Sequence, residues 1–414
     1  MSDRFLTRQL VQLGLVGNAL RPFRGPASIP AFFSGWLTGE LAPHLLAIEA
    51  ADTAVHVARH GVQTRRDALG LMTATANLAG YAALIAGGRR AGQEVEHALV
   101  AELGPDYPDA IARDPLPDDL NASWPSLALP FRMRNVDVAR TRRLPYAPGG
   151  RRYEMDVFHH RDKPAGAPVL LQVHGGGWMI GEKEHQGIPL MLHMAARQWV
   201  CVSINYPLSP RARWPEHLIA VKRAMQWIRE HVHEYGGDPS FVAVTGGSAG
   251  GHLAAMLALT AGDESLQPGF ESVDTSVQAC VPHYGVYDFT DESGARYARQ
   301  RLNGLLRRYV MSRDARYPED YRAASPISRV TADAPPFLVV HGRNDTLVPV
   351  VEARAFVDRL REVAKNPIVY AEIPGAQHAF DIFPSFRSAG VLRGVARFLE
   401  WTHATRDSRL VSGR

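Results

Sequence analysis

Apolar and polar residues follow two different rhythms on either side of residue 130. Residues 1–103 read as helical: Leu41–Arg65 and Asp67–Leu103 are rich in Ala and Leu, with few β-branched clusters and almost no proline. From residue 131 the rhythm becomes one of short apolar runs separated by amphipathic stretches. Val136–Arg140 and Arg152–Phe158 predict an opening antiparallel pair, joined through Pro148-Gly149-Gly150. Six further runs are apolar enough to be buried on both faces, as a central parallel sheet requires: Pro168–Val173, Val200–Asn205, Phe241–Thr245, Val277–Tyr284, Pro336–Val340 and Ile368–Ile373. Between them, Glu216–His233 and Val351–Val363 carry helical periodicity. This alternation predicts a doubly wound α/β sheet whose site lies at the carboxyl ends of the strands.

The two regions are joined by 104–130, where Gly104, Pro105, Pro108, Pro115, Pro117, Pro125 and Pro130 are interspersed with aspartates, the composition of a linker or wrapped loop. The expected organisation is therefore a helical region at 1–103, a linker at 104–130 and a catalytic domain at 131–405. The helical region would act as a cap, a dimer contact or a membrane-associated segment, or take no part in the chemistry, with more cap residues from Asp291–Ala324.

Composition narrows the classes. The chain has 414 residues and a formal charge of +4, with four lysines (Lys163, Lys183, Lys222, Lys365) against 42 arginines. The arginines are scattered beside acids rather than clustered, which argues against nucleic acid as a partner. Cys201 and Cys280 lie in apolar strand-like runs without metal or redox spacing, so two buried thiols are expected, with no metal and no organic cofactor. The start of the chain makes a poor secretory signal. Ala68–Gly88 carries no charge and is followed by Arg89 and Arg90. It is long enough to span a membrane, but Gly, Thr and Asn dilute it, and a helix buried against a partner helix is the preferred reading. A cytoplasmic location is expected, unless 68–88 ties the chain to a membrane or the envelope.

The chemistry starts at Gly246-Gly247-Ser248-Ala249-Gly250, between the strand Phe241–Thr245 and the helical run His252–Thr260. A serine on such a turn is held out over the sheet edge, with a helix amino terminus aimed at the charge that develops there. The serine needs a base oriented by a third group. Asp345 and His378 each fall in a loop just past a later strand, in the order acid then histidine. Gly175, Gly176 and Gly177 follow the strand Pro168–Val173; the amides of Gly176 and Gly177, with that of Ala249, are the candidate oxyanion donors. His174 is expected to close that loop by hydrogen bonds. Trp178, Tyr284 and Phe289 are candidates for an acyl pocket, although apolar residues at strand ends are as often core.

With these elements in order, residues 131–402 resemble the hormone-sensitive-lipase-type α/β hydrolases. The matching motifs are His174-Gly175-Gly176-Gly177-Trp178, Gly237-Asp238-Pro239-Ser240, Gly246-Gly247-Ser248-Ala249-Gly250-Gly251 and His341-Gly342-Arg343-Asn344-Asp345-Thr346-Leu347-Val348-Pro349. The long amino-terminal extension is similar to that of actinobacterial, mycobacterial-type Lip carboxylesterases. The resemblance implies an α/β-hydrolase sheet with a helical extension and cap, acting on small-molecule or lipid esters of short to medium acyl chain. It implies Ser248 as nucleophile, Asp345 as acid and His378 as base. Two positions depart from the family: Gly247 stands where aspartate is usual, and Asn205-Tyr206-Pro207-Leu208-Ser209-Pro210-Arg211 where Asp-Tyr-Arg-Leu-Ala-Pro-Glu is common. The first leaves an arylformamidase-like amide hydrolase open. An envelope-associated lipase and a catalytically silent ligand-binding module on the same fold also stay open. Oligomeric state is not set by the sequence.

Overall fold

The computed structural model of the protein describes residues 2–111, 124–291, 293–294 and 303–406. Residues 112–123 of the expected linker, and 292 and 295–302 of the expected cap, lie outside them. Eight strands form one sheet in the order β1-β2-β4-β3-β5-β6-β7-β8. They are β1 (Val138–Pro145), β2 (Glu154–His160), β3 (Ala167–Val173), β4 (Val200–Ile204), β5 (Gly237–Gly247), β6 (Ala279–His283), β7 (Phe337–Gly342) and β8 (Ile368–Ile373). β2 is antiparallel to both β1 and β4, and every pair from β4 to β8 is parallel.

All eight predicted strands form, because the central ones are buried on both faces: every residue of β3, β4, β6 and β7 is buried. The opening strand runs to Pro145, well past the predicted Arg140. Its register breaks between Thr141 and Leu144, where Asp156 accepts hydrogen bonds from the Arg143 amide and the Arg140 guanidinium. Arg140, Arg142 and Arg143 give this edge a polar sequence that apolar periodicity cannot register.

Side chains alternate across the sheet into two cores. Val169, Leu171, Val173, Val242 and Val244 face one cluster, with residues such as Leu218 and Ile228 of Glu216–His231, Leu253 of Ala249–Leu259 and Phe356 of Val350–Val363. Leu170, Cys201, Phe241, Ala243, Leu338 and Val340 face the other. Cys201 and Cys280 are buried free thiols, one in each cluster.

The amino-terminal region folds into α1 (Ser2–Leu20), α2 (Ser28–Glu40), α3 (Ala42–His60) and α4 (Arg65–Leu103). The predicted run Leu41–Arg65 stops at His60, where Gly61 adopts φ 64° and Thr64 then caps α4 in a reciprocal pair with Asp67. α4 buries one narrow stripe at spacings of three and four: Gly70, Ala74, Asn77, Tyr81, Leu84, Gly88, Ala91, Val95 and Leu99. Its first half packs against α1, where Asn77 donates to the Gln9 carbonyl and side chain at 3.0 Å. Its second half joins the sheet: Ala91, Val95 and Leu99 belong to the same core as β3, β7 and β8. There it crosses the last helix, Phe386–Ala404, at contact distance. A Cβ at Gly390 would lie 2.7 Å from the Gly92 nitrogen. Among the described helices, Arg65–Leu103 alone is long and apolar enough to cross a membrane by length and composition.

Candidate active site

Ser248 links β5 to the helix Ala249–Leu259 with φ 58° and ψ −121°, a left-handed conformation that a non-glycine residue adopts at a cost of about 1–3 kcal/mol. Its amide donates to the His283 carbonyl at 2.9 Å, and its carbonyl accepts from the His252 amide at 3.0 Å. Ala249 opens the following helix, so its N–H is one of the donors that a helix leaves free at its start.

The glycine loop lies directly alongside. A Cβ at Gly175 would come within 3.1 Å of Ser248 Cβ. The Gly175 amide is taken by Gln186 Oε1 at 2.6 Å. The amides of Gly176 and Gly177 donate to no other group among the described residues. Gly176 sits at φ 117°, and its carbonyl accepts from Met179 and Ile180; a side chain there would strike the Ile180 carbonyl. His174 closes the loop as expected: its Nδ1 is 2.7 Å from the Gly175 carbonyl and its ring stacks on Tyr206 at 4.4 Å. Burial pushes this imidazole down to about 4, so it is neutral at physiological pH.

Asp345, in the loop after β7, and His378, in the loop after β8, meet at 2.6 Å (Oδ2 to Nδ1). The other carboxylate oxygen accepts the Leu347 and Val348 amides at 2.8 Å each, and His341 Nε2 stands 3.4 Å from Oδ2. Burial alone would raise this carboxyl. The neighbouring His378 and His341, with the hydrogen bonds, outweigh it and hold Asp345 well below the usual carboxylate range. Gln377 ties the two loops together, accepting from the Thr346 and His378 amides at 2.8 and 2.9 Å.

Of the three residues expected at an acyl pocket, Tyr284 touches His378, with ring centroids 4.7 Å apart. Trp178 and Phe289 are buried against each other and around His252, with 1% and 0% exposure. Sequence reasoning missed three contributors. Gln377 had no signal beyond adjacency to His378. Phe32 of α2 meets the His378 ring edge-on at 5.9 Å from more than 300 residues away. Asp381, which bonds Tyr284, belongs to no motif.

The eight-stranded sheet, with a serine on its strand-to-helix elbow and an acid and a histidine past the last two strands, defines an α/β hydrolase. A family model described as BD-FAE matches residues 155–360. Over 401 residues the chain is 43% identical to LipM of Mycobacterium tuberculosis, named a "Probable carboxylic ester hydrolase", covering 94% of this chain and 91% of that protein. It is 45% identical to Esterase LipQ of the same organism, over 75% of each chain. Esterase B from Lactobacillus rhamnosis superposes with a TM-score of 0.56 at 16% identity, over 78% of this chain and 99% of that one, a likeness of fold. The chain belongs to the mycobacterial Lip esterases, of the hormone-sensitive-lipase type, and is a carboxylic ester hydrolase.

Proposed function

We propose that Ser248 attacks the ester carbonyl, that His378 is its general base, and that Asp345 orients the imidazole. The Asp345–His378 contact at 2.6 Å carries this reading. It lies in loops past β7 and β8, and Tyr284 connects it to the elbow by packing on the His378 ring and filling the space over Gly247. In the first half-reaction the Ser248 proton passes to His378 Nε2 as the Oγ–carbon bond forms. Asp345 accepts from Nδ1–H and stabilises the imidazolium. The amides of Gly176, Gly177 and Ala249 receive the oxyanion. His378 then returns the proton to the departing alcohol, and water repeats the sequence on the acyl-enzyme.

Short to medium acyl chains are the proposed substrates. The experiment is hydrolysis of 4-nitrophenyl esters from acetyl to palmitoyl by wild type and Ser248→Ala. Loss of at least about 10³-fold in the variant, with a short-chain optimum, is expected. Full activity in Ser248→Ala sinks the mechanism, and faster turnover of an aryl formamide than of any ester would reassign the substrate.

A second reading concerns location, that the helical layer rests on a lipid surface. Leu10, Val11, Phe23, Phe33, Ile48 and Met72 are 53–70% exposed there, beside exposed Arg21, Arg24, Arg59 and Arg65. Its test is binding to anionic vesicles.

A further inference from the structure

Next to the Asp345–His378 pair stands a second acid–histidine pair that plays no part in the proton transfers above. Asp381 Oδ2 lies 2.6 Å from His283 Nδ1. The other oxygen of Asp381 accepts the Tyr284 hydroxyl. His283 and Tyr284 are consecutive at the carboxyl end of β6, and between them they touch both halves of the reacting centre. The His283 carbonyl accepts the Ser248 amide at 2.9 Å, and the Tyr284 ring lies 4.7 Å from that of His378.

Tyr284 holds an uncommon backbone conformation to do this. Its φ is 37°, and its amide donates to the Val340 carbonyl at 2.7 Å. Such strain persists only where the surroundings over-determine it. Burial and the Asp381 carboxylate push the Tyr284 phenol well up, so it remains a donor. The ring also accounts for the residue before the nucleophile. A Cβ at Gly247 would stand 2.8 Å from the Tyr284 ring and hydroxyl, so the space an aspartate would take in the wider family is occupied here by the tyrosine.

We propose that Tyr284, tethered by its hydrogen bond to Asp381, is a positioning residue that fixes the plane of the His378 imidazole, and that Gly247 is the space this requires. The physical need is specific. A single hydrogen bond from Nδ1 to Asp345 leaves the imidazole free to rock about that bond, which swings Nε2 away from the serine. The Tyr284 ring, tilted 58° against the imidazole at 4.7 Å, opposes this rocking by contact, and small misplacements of a catalytic group cost up to about 10²-fold. Phe32, edge-on to the same ring, restrains it further.

The inference rests on the assignment of Ser248 and His378, and the experiment separates the two. Steady-state kinetics on a 4-nitrophenyl ester would be measured for Tyr284→Phe, Asp381→Asn, their double variant and Ser248→Ala, each with its thermal midpoint. Tyr284→Phe keeps the ring and loses the tether. Asp381→Asn keeps an acceptor and loses the charge, and its thermal midpoint shows whether the fold bears the change. The expected result is a fall in kcat of about 10-fold in Tyr284→Phe and a smaller one in Asp381→Asn. KM should change less than about twofold, and the double variant should be no worse than Tyr284→Phe because both act through one tether. Unchanged kcat in Tyr284→Phe, a loss confined to KM, or additive losses in the double variant would overturn it. Activity surviving in Ser248→Ala would instead overturn the mechanism on which it rests.

Discussion

Arg387→Met removes one partner of a buried ion pair joining the amino-terminal extension to the last helix. Arg387 Nη1 donates to Glu40 Oε1, and both side chains are 2% exposed. The other Glu40 oxygen accepts Ser385 Oγ at 2.6 Å, and Ser385 caps the last helix together with Ser388. Burial raises the Glu40 carboxyl despite the guanidinium that opposes the shift. Breaking such a pair costs about 3–5 kcal/mol, chiefly because one charge is left buried without its partner. With an unfolding entropy of about 2.1 cal/mol/K per residue, a loss of about 4 kcal/mol lowers the midpoint of a chain of this length by about 5 °C. The sign with pH follows from which charge is stranded. Glu40 left without arginine can shed its cost by taking a proton, so the penalty should shrink as pH falls. The double variant Glu40→Leu/Arg387→Met removes both charges and should recover most of the stability, as buried pairs exchanged for apolar groups often do. The assay is urea unfolding followed by tryptophan fluorescence, with esterase activity alongside. A single variant within about 1 kcal/mol of wild type at pH 8, or a double variant worse than the single, would refute the view that α2 is locked to the catalytic body here.

Two more outcomes are expected. Burial lowers His174 and His252 to about 4 and His217 to about 3, so each is neutral when folded and takes up a proton on unfolding. Their contribution is complete above the unfolded value near 6.5 and is lost as pH falls from there towards 4, about 2 kcal/mol each at pH 5. Urea midpoints at pH 7 and pH 5 measure it, and equal midpoints would mean the three rings are not held neutral. On anionic vesicles the wild type should co-sediment at low salt, and Phe23→Glu or Met72→Glu should weaken that binding several-fold with esterase turnover unchanged. Equal binding by the charged variants would exclude those residues from any lipid contact.

The sheet was legible because its strands are buried on both faces, which writes uninterrupted apolar runs such as Pro168–Val173 into the chain. The loops of Ser248, Asp345 and His378 followed from their places after those runs. The role of α4 was not legible. Its inner stripe mixes four glycines and alanines and one asparagine with four larger apolar residues, so the segment looks like a diluted membrane span although half of it covers the sheet. Gly247 showed only as a departure from the family, since its reason lies in Tyr284, 37 residues on, and in Asp381 beyond that. Glu40 and Arg387, 347 residues apart, share no local pattern.

The path of α4 has a consequence for how this protein can vary over time. Its outer end carries α1–α3, and its inner end supplies one of the helices that close the sheet against water. α2 in turn places Phe32 against His378, and its neighbouring backbone accepts hydrogen bonds from the acid loop: Asn344 to the Leu20 carbonyl and Thr346 to that of Ser28. Shortening the chain to its hydrolase half would uncover the part of one sheet face that Ala91, Val95 and Leu99 cover and leave Arg387 without its Glu40 partner. A substitution in the first hundred residues can therefore reach the loops of Asp345 and His378 through packing alone, without touching the hydrolase sequence.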